Sequence, residues 1–321
     1  MKRSVVFGLI AAISIVICSK LFAAQQNITT GGLLPDVRGF NNKINNVQET
    51  SKISWVVRHV AGQVYVAAGA GGHVVIFAGN DGILLVDTNF TVFYDQIMAA
   101  IRQVSSAPIR FIVNTHSHLD HVQNNDKFAA QGAVIIDPPN TRRALASTAD
   151  SRGLPLITSS APLTLYFNGE EVRYVPLKAA HTDGDVAVYF HGSDVWAFGD
   201  EYTGDYPGMS VQQGGTSQNY IDNYNLALQM TTPNTIFVPG HGQMSGRARL
   251  TALRDVIATV HGRVRDMVAK GMTLAEINKA RPSREFDADF AAENHSPTTF
   301  VTTEGWYKAL YDEISAERKK E

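Results

Sequence analysis

Residues 109–121 read IRFIVNTHSHLDH, an apolar β-branched run that passes directly into three histidines and an aspartate within six positions. The run has the composition of a strand, because branched side chains fit a pleated, half-buried surface. If the chain stays extended beyond it, His116 and His118 project to the same side and Asp120 follows at the same spacing. One point in space then faces all three. Neutral imidazole nitrogen and carboxylate oxygen are the donors that zinc and similar borderline cations prefer, and a catalytic site keeps one position open for water. A lone histidine beside a strand is usually packed or solvated. Three within six residues, with an aspartate between them, have no packing rationale, so the stretch reads as metal-binding.

A metal cage needs groups brought together by the fold, so further donors belong at other strand ends. His181 follows EVRYVPLKAA, Asp200 closes VWAFGD and His241 follows TIFVPG. Gly184, Gly199, Gly240 and Gly242 beside them permit tight turns and close backbone approach. Upstream, VVRHVAGQVYVAAGAGGHVVIFAGNDGILLVDT (56–88) alternates short β-branched runs with turns, of which Asn80-Asp81-Gly82 is the clearest, and predicts consecutive hairpins. The stretch AGAGGH (68–73) lacks the spacing of a phosphate-binding loop and reads as one of those turns. A helical period runs from Val92 to Val104, with Ile97, Ala100, Ile101 and Val104 on one face, and Pro108 ends it.

Downstream the pattern predicts helices at 124–131, 141–149 and 219–230 among strands AVIID, LTLYF, EVRYVPL, DVAVYF, VWAFGD and TIFVPG. Helices then follow at 247–270, 273–280 and 303–318. Interleaved strands and helices, with hairpins opening each half, predict an α/β fold of two sheets packed face to face with helices outside.

The N-terminus stands apart. Lys2 and Arg3 precede an apolar run from Val5 to Cys18, followed by Leu21, Phe22, Ala23 and Ala24, so residues 1–24 read as a secretory signal peptide. The run is short for a membrane span, and Ile17 before Cys18 is not the small residue that a lipoprotein cleavage box requires. The expectation is a periplasmic or secreted protein with no stable membrane span after cleavage. The single cysteine of the chain lies inside this segment, so the mature protein is expected to hold any metal by nitrogen and oxygen alone. Losing Lys2, Arg3 and Lys20 takes the formal charge from -2 to -5, which does not favour nucleic acid. The partner expected is a small-molecule substrate; oligomeric state is left open. Residues 25–52 read as a polar, loosely packed leader, 53–245 as the core and 246–321 as a helical extension packed on it.

His116-Ser117-His118-Leu119-Asp120-His121 matches the H-x-H-x-D-H motif of the metallo-β-lactamase superfamily. With GILLVDT at Asp87, AHTDGD at His181, GD at Asp200 and GHG at His241, the chain resembles that family over about residues 55–245. The resemblance implies a four-layer αββα sandwich with extra C-terminal helices and two Zn2+ ions in a cleft at one edge. By that resemblance His116, His118 and His181 hold the first ion, Asp120, His121 and His241 the second, Asp200 bridges them, and Asp87 orients the ligands from behind. A metal-bridging hydroxide would be the nucleophile, with Asp120 the catalytic carboxylate beside it. Two departures matter. Val122-Gln123 stands where the family often has Gly-Gly, and Asp200 stands where exported true lactamases have Cys or Ser. The implied activity is therefore a dinuclear zinc hydrolase of an ester, lactone, thioester or amide. A β-lactamase proper, or a non-hydrolytic iron-bound redox or metal-binding member, are the alternatives.

Substrate contacts are expected from EYTGDYPGMSVQQGGTSQNY (201–220), where Tyr202, Tyr206 and Tyr220 could donate to an oxyanion or could simply pack. Phe90 and Phe93 could wall the cleft or pack the next helix. Arg247, Arg249, Arg254, Arg263 and Arg265 read as a solvated helix face. For the export signal, N-terminal sequencing of protein recovered from a secreting host should find an end immediately after Ala23 or Ala24. An intact Met1 would sink the signal-peptide reading.

Overall fold

The structure is a computed structural model that describes residues 28–29, 34, 53–147, 150–295 and 301–319. The signal segment and nearly all of the leader lie outside the described residues.

One sheet has the spatial order β1 (Ile28–Thr29), β2 (Val56–Ala61), β3 (Val64–Ala68), β4 (Val74–Gly79), β5 (Gly82–Val86), β6 (Ile109–Val113), β7 (Val134–Asp137) and β8 (Ile157–Thr158). Strands β2 to β5 are antiparallel hairpins, as their turn residues dictate. From β5 to β8 the pairing is parallel, with helix α1 (Tyr94–Val104) making the first crossover. Short helices α2 (Leu119–Val122), α3 (Asn125–Ala129) and α4 (Pro139–Leu145) fill the later connections. The second sheet is ordered β13-β12-β11-β10-β9, from β9 (Leu163–Phe167), β10 (Glu170–Pro176), β11 (Val186–Phe190), β12 (Val195–Gly199) and β13 (Ile236–Pro239). Helix α5 (Ser217–Met230) is the crossover that makes β12 and β13 parallel. The chain ends in α6 (Arg247–Ala269), α7 (Leu274–Ala280), α8 (Asp287–Phe290), α9 (Ala292–His295) and α10 (Thr303–Arg318).

The layering follows from strands that are buried on both faces. All five residues of β5, β11 and β12 are buried, and strand geometry divides them. Leu84 and Val86 join Val186, Val188, Phe190, Val195 and Ala197 in the core between the sheets. Ile83 and Leu85 face the other way, onto Ile97 and Ile101 of α1. Tyr189, Trp196 and Phe198 face Leu253, Ile257 and Trp306 of the C-terminal helical layer. Each fully buried aliphatic or aromatic side chain contributes about 1.5–3 kcal/mol by leaving water. Helix, sheet, sheet and helix layers thus stack as the sequence predicts, and the C-terminal helices close the outer face of the second sheet.

Two local expectations change. The helix predicted over 124–131 is present but shorter, Asn125–Ala129: Asn124 stands at its N-cap, where its carbonyl accepts from Phe128 N at 3.1 Å and its amide Nδ2 donates to the carbonyls of Thr88 and Phe90 at 2.7 and 2.9 Å. The leader is not loose at the points the structure describes. Ile28 and Thr29 pair in parallel with Val57 and Arg58, and Leu34 is buried. The Gln243 side-chain amide bonds both the N–H and the carbonyl of Leu34, at 2.8 and 2.9 Å.

Glu313 of α10 is buried and accepts from Ser217 N and Oγ at the start of α5, at 3.0 and 3.1 Å. Burial, partly offset by the Ser217 bonds, raises its carboxyl from 4.5 to about 7. Folding therefore takes up a proton here: the contribution is full below about pH 4.5 and lost as pH rises through about 7. Glu313→Gln should be more stable than the parent at pH 8, with the difference shrinking towards pH 5, as followed by chemical denaturation. A pH-independent difference would contradict this.

Candidate metal centre

Parallel pairing places the C-terminal ends of β5 and β6, and of β12 and β13, at one edge of the sandwich. Asp87 leaves β5, the stretch 114–121 leaves β6, Asp200 leaves β12 and His241 leaves β13, while His181 lies on the connection from β10 to β11. All seven predicted ligands meet there in two groups. His116, His118, His181 and Asp200 form one, and Asp120, His121 and His241 the other, with ligand atoms in each group within 4.8 Å of one another.

In the first group, hydrogen bonding sets the ring tautomers. The Thr115 hydroxyl donates to Asp87 Oδ2 at 2.8 Å, so at 3.0 Å it can only accept from His116 Nδ1. Gly208 O accepts from His181 Nδ1 at 2.6 Å. The Nε2 atoms of both rings are left with lone pairs, and each lies 3.0 Å from His118 Nδ1. One proton on His118 cannot satisfy both neighbours, but a single cation would satisfy all three nitrogens. Burial, reinforced by the neighbouring imidazoles, pushes His116 well below the usual histidine value. Burial and then His181 push His118 down to about 4. These rings are therefore held neutral, as ligands must be.

Charge is arranged oppositely in the second group. His121 Nε2 lies 3.3 Å from Asp200 Oδ1 and 3.7 Å from Asp120 Oδ2, and His241 Nε2 lies 3.4 and 3.1 Å from the same atoms. Burial opposes charge on both rings. Asp120, Asp200 and Asp87 outweigh it for His121, which is raised well above its usual value, and the first two carry His241 to about 9. Burial alone would raise Asp200, but His241 and His121 hold it well below the carboxylate range. Protons here stand where positive charge is required. His121 Nε2 and Asp200 Oδ1 are nevertheless buried without an aligned hydrogen bond among the described residues, which leaves them available to a cation. Asp200 reaches both groups, since Oδ1 faces His121 and His241 while Oδ2 lies 3.6 Å from His181 Nε2. The residues present fit a pair of cations.

Asp87 lies behind the ligands rather than among them. It accepts from Thr115 N and Oγ1 and from His121 Nδ1, at 2.7, 2.8 and 2.7 Å. The sequence points to Asp87 and only faintly to the polar tier around it. Asp137, at the end of β7, is fully buried and accepts from Asn114 N at 2.7 Å, while its other oxygen has no hydrogen-bond partner among the described residues. Burial pushes its carboxyl well up, so it sits neutral beneath the loop. Asn114 and Asn125 bond each other's amides, and Thr88 Oγ1 donates to Asn125 at 2.9 Å. The turn 68–73 also serves the site: a Cβ on Gly72 would fall on the His121 ring, and one on Gly240 would fall on Asp200 Oδ1. Only the polar residue types at apolar strand ends, Asn114 and Asp137, could have signalled this tier.

Tyr202, Tyr206 and Tyr220 are buried, and their hydroxyls bond Ser245, Asp287 and Gly208 rather than facing the cleft. Phe90 and Phe93 pack in the core under α1. The arginines of α6 tie the helical layer together: Arg247 to Leu228 O, Arg249 to Gly204 O, Arg254 to Asn225 and Arg263 to Pro282 O.

The sequence profile of the Metallo-beta-lactamase superfamily matches residues 68–241. A search of the curated proteins found no match. Among solved structures, the chain is similar to a metallo-beta-lactamase from Pontibacter korlensis, with TM-score 0.55 and 18% identity over 63% of this chain and 99% of that one. It is also similar to a double mutant of the sec-alkyl sulfatase PisA1, with TM-score 0.63 and 13% identity over 91% of this chain and 58% of that one. Coverage of 91% cannot be reached without part of 246–321, so the likeness in fold extends into the C-terminal helices.

Asp87→Ala should leave His121 Nδ1 and Thr115 without their acceptor and weaken zinc binding about 10–100-fold, measured by competition with a chromogenic chelator. Unchanged affinity would remove Asp87 from this role.

Proposed function

The chain belongs to the metallo-beta-lactamase superfamily, and from that premise we propose that it is a dinuclear zinc-dependent hydrolase that cleaves an ester, lactone, thioester or amide bond. The observation that carries the proposal is the Asp200 carboxylate, with one oxygen turned to each of two ligand groups. His116, His118 and His181 would hold one ion, Asp120, His121 and His241 the other, and Asp200 would join them. Bound there, two cations would lower the pKa of a water and polarise the carbonyl under attack.

The protein's own part is orientation and proton transfer. Asp87 and Thr115 fix His121 and His116 through their Nδ1 atoms, which leaves each Nε2 directed at the other ligands. Asp120, partly exposed and 3.1 Å from His241 Nε2, can orient an attacking water, take up its proton and return it to the leaving group. With its carboxylate acidified by its neighbours, Asp200 stays ionised and joins the two groups. No serine or cysteine nucleophile is required. The superfamily name and the sulfatase likeness do not extend to substrate; Asp200, in place of the thiol or hydroxyl of exported lactamases, favours general hydrolysis over β-lactam opening. Residues 1–24 support a periplasmic or secreted location.

A panel of esters, lactones, thioesters and β-lactams, run on zinc-loaded protein, should show turnover that falls about 100-fold or more in His118→Ala. Activity surviving that substitution would place the chemistry elsewhere. Opening of a chromogenic cephalosporin at an ordinary enzymatic efficiency, on the order of 10⁴ M⁻¹s⁻¹ or above, would establish the lactamase instead. Two irons per chain in protein as isolated would favour the redox reading.

A further inference from the structure

His181 reaches the first ligand group from a different part of the chain than His116 and His118, so its ring must be aimed separately. Its Nδ1 donates to Gly208 O at 2.6 Å, which fixes both the tautomer and the direction of Nε2. The same carbonyl accepts the Tyr220 hydroxyl at 2.7 Å, so its position is constrained from a second side.

The segment carrying Gly208 is pinned two residues earlier, at Tyr206, by the C-terminal helices. Tyr206 N donates to Phe290 O at 2.8 Å, and its hydroxyl donates to Asp287 Oδ1 at 2.9 Å. Its ring stacks on Trp306, with centroids 4.2 Å apart and planes 19° from parallel. Asp287 is held in turn by Arg281 at 2.6 Å and by Ser283 Oγ at 2.5 Å, and Arg249 donates to Gly204 O at 2.7 Å. A Cβ at Gly208 would lie 2.9 Å from Val301 Cγ2, so this residue too packs closely on Gly208. Phe290, Asp287, Trp306 and Val301 all lie beyond residues 68–241, the part that matches the family profile.

We propose that the C-terminal helical extension is a working part of the metal centre: through Tyr206 and the Gly208 carbonyl it positions His181 and sets the affinity of the His116–His118–His181 group for its cation. Tyr206, Asp287 and Tyr220 are positioning residues, and none of them touches the ion. This rests on the dinuclear reading above. It assigns the extension a selective effect, because His121 and His241 take their orientation from Asp87 and from the ends of β5, β6 and β13.

The test is zinc titration of the chelator-stripped full chain by calorimetry, with thermal melting of each zinc-free protein alongside. The parent should take up two equivalents. Tyr206→Phe, Asp287→Ala and Tyr220→Phe should each weaken one equivalent about 10–100-fold and leave the other unchanged. Asp287→Asn keeps an oxygen for the Tyr206 hydroxyl and should bind nearly as the parent does. Variants that match the parent in both equivalents would overturn the inference and leave the dinuclear reading standing. Equal weakening of both equivalents with a lowered melting temperature would also overturn it, by showing a general structural role. A parent that takes up no zinc would overturn the dinuclear reading and this inference together.

Discussion

Imidazoles and carboxylates converge at a single edge of this sandwich, and the fold must hold them there although burial opposes charge on each of them. The ligands can be crowded only because rigid elements carry them. Asp87, Asp200 and His241 each sit at the end of a strand that is buried on both faces, or within a residue or two of it, so none can relax without disturbing the core between the sheets.

The same constraint accounts for the strain beneath the site. Asp87 and Asn89 both adopt positive φ, 66° and 60°, a conformation that costs a non-glycine residue about 1–2 kcal/mol. Their side chains show what holds them in it: Asp87 gathers three donors, and Asn89 Nδ2 donates to the carbonyl of Ala70 at 3.0 Å. Asp137 is an extreme case. An uncompensated carboxylate there would be expensive to bury, so the group is kept neutral and serves as a fixed acceptor for Asn114 N. Strain and buried polarity thus meet directly under the ligands.

The helical layer outside the second sheet has two roles. Trp196 and Phe198 of β12 need cover on that face, and Leu253, Ile257 and Trp306 provide it. The stacking that buries Trp306 also fixes Tyr206, and through it the carbonyl against which His181 is aimed. Core formation and ligand orientation are thus linked at one aromatic pair.

Much of this was legible in the residues alone. Period-two alternation gives each strand its two faces, Pro and Gly mark where helices and turns stop, and H-x-H-x-D-H specifies donor chemistry because side-chain direction along an extended stretch is a local property. Asp200 and His241 could be singled out for the same reason, each closing or directly following an apolar strand. Local spacing cannot say which strand ends will meet. That Asp200 turns one oxygen to each group, that Gly72 must be glycine to clear His121, that Leu34 docks on Gln243 and that a carbonyl at Gly208 selects the His181 tautomer all depend on contacts between segments distant in the chain. Sequence determined the donors and the layers; the packing of two sheets and a helical layer decided how the donors converge, because only non-local burial fixes one strand end against another.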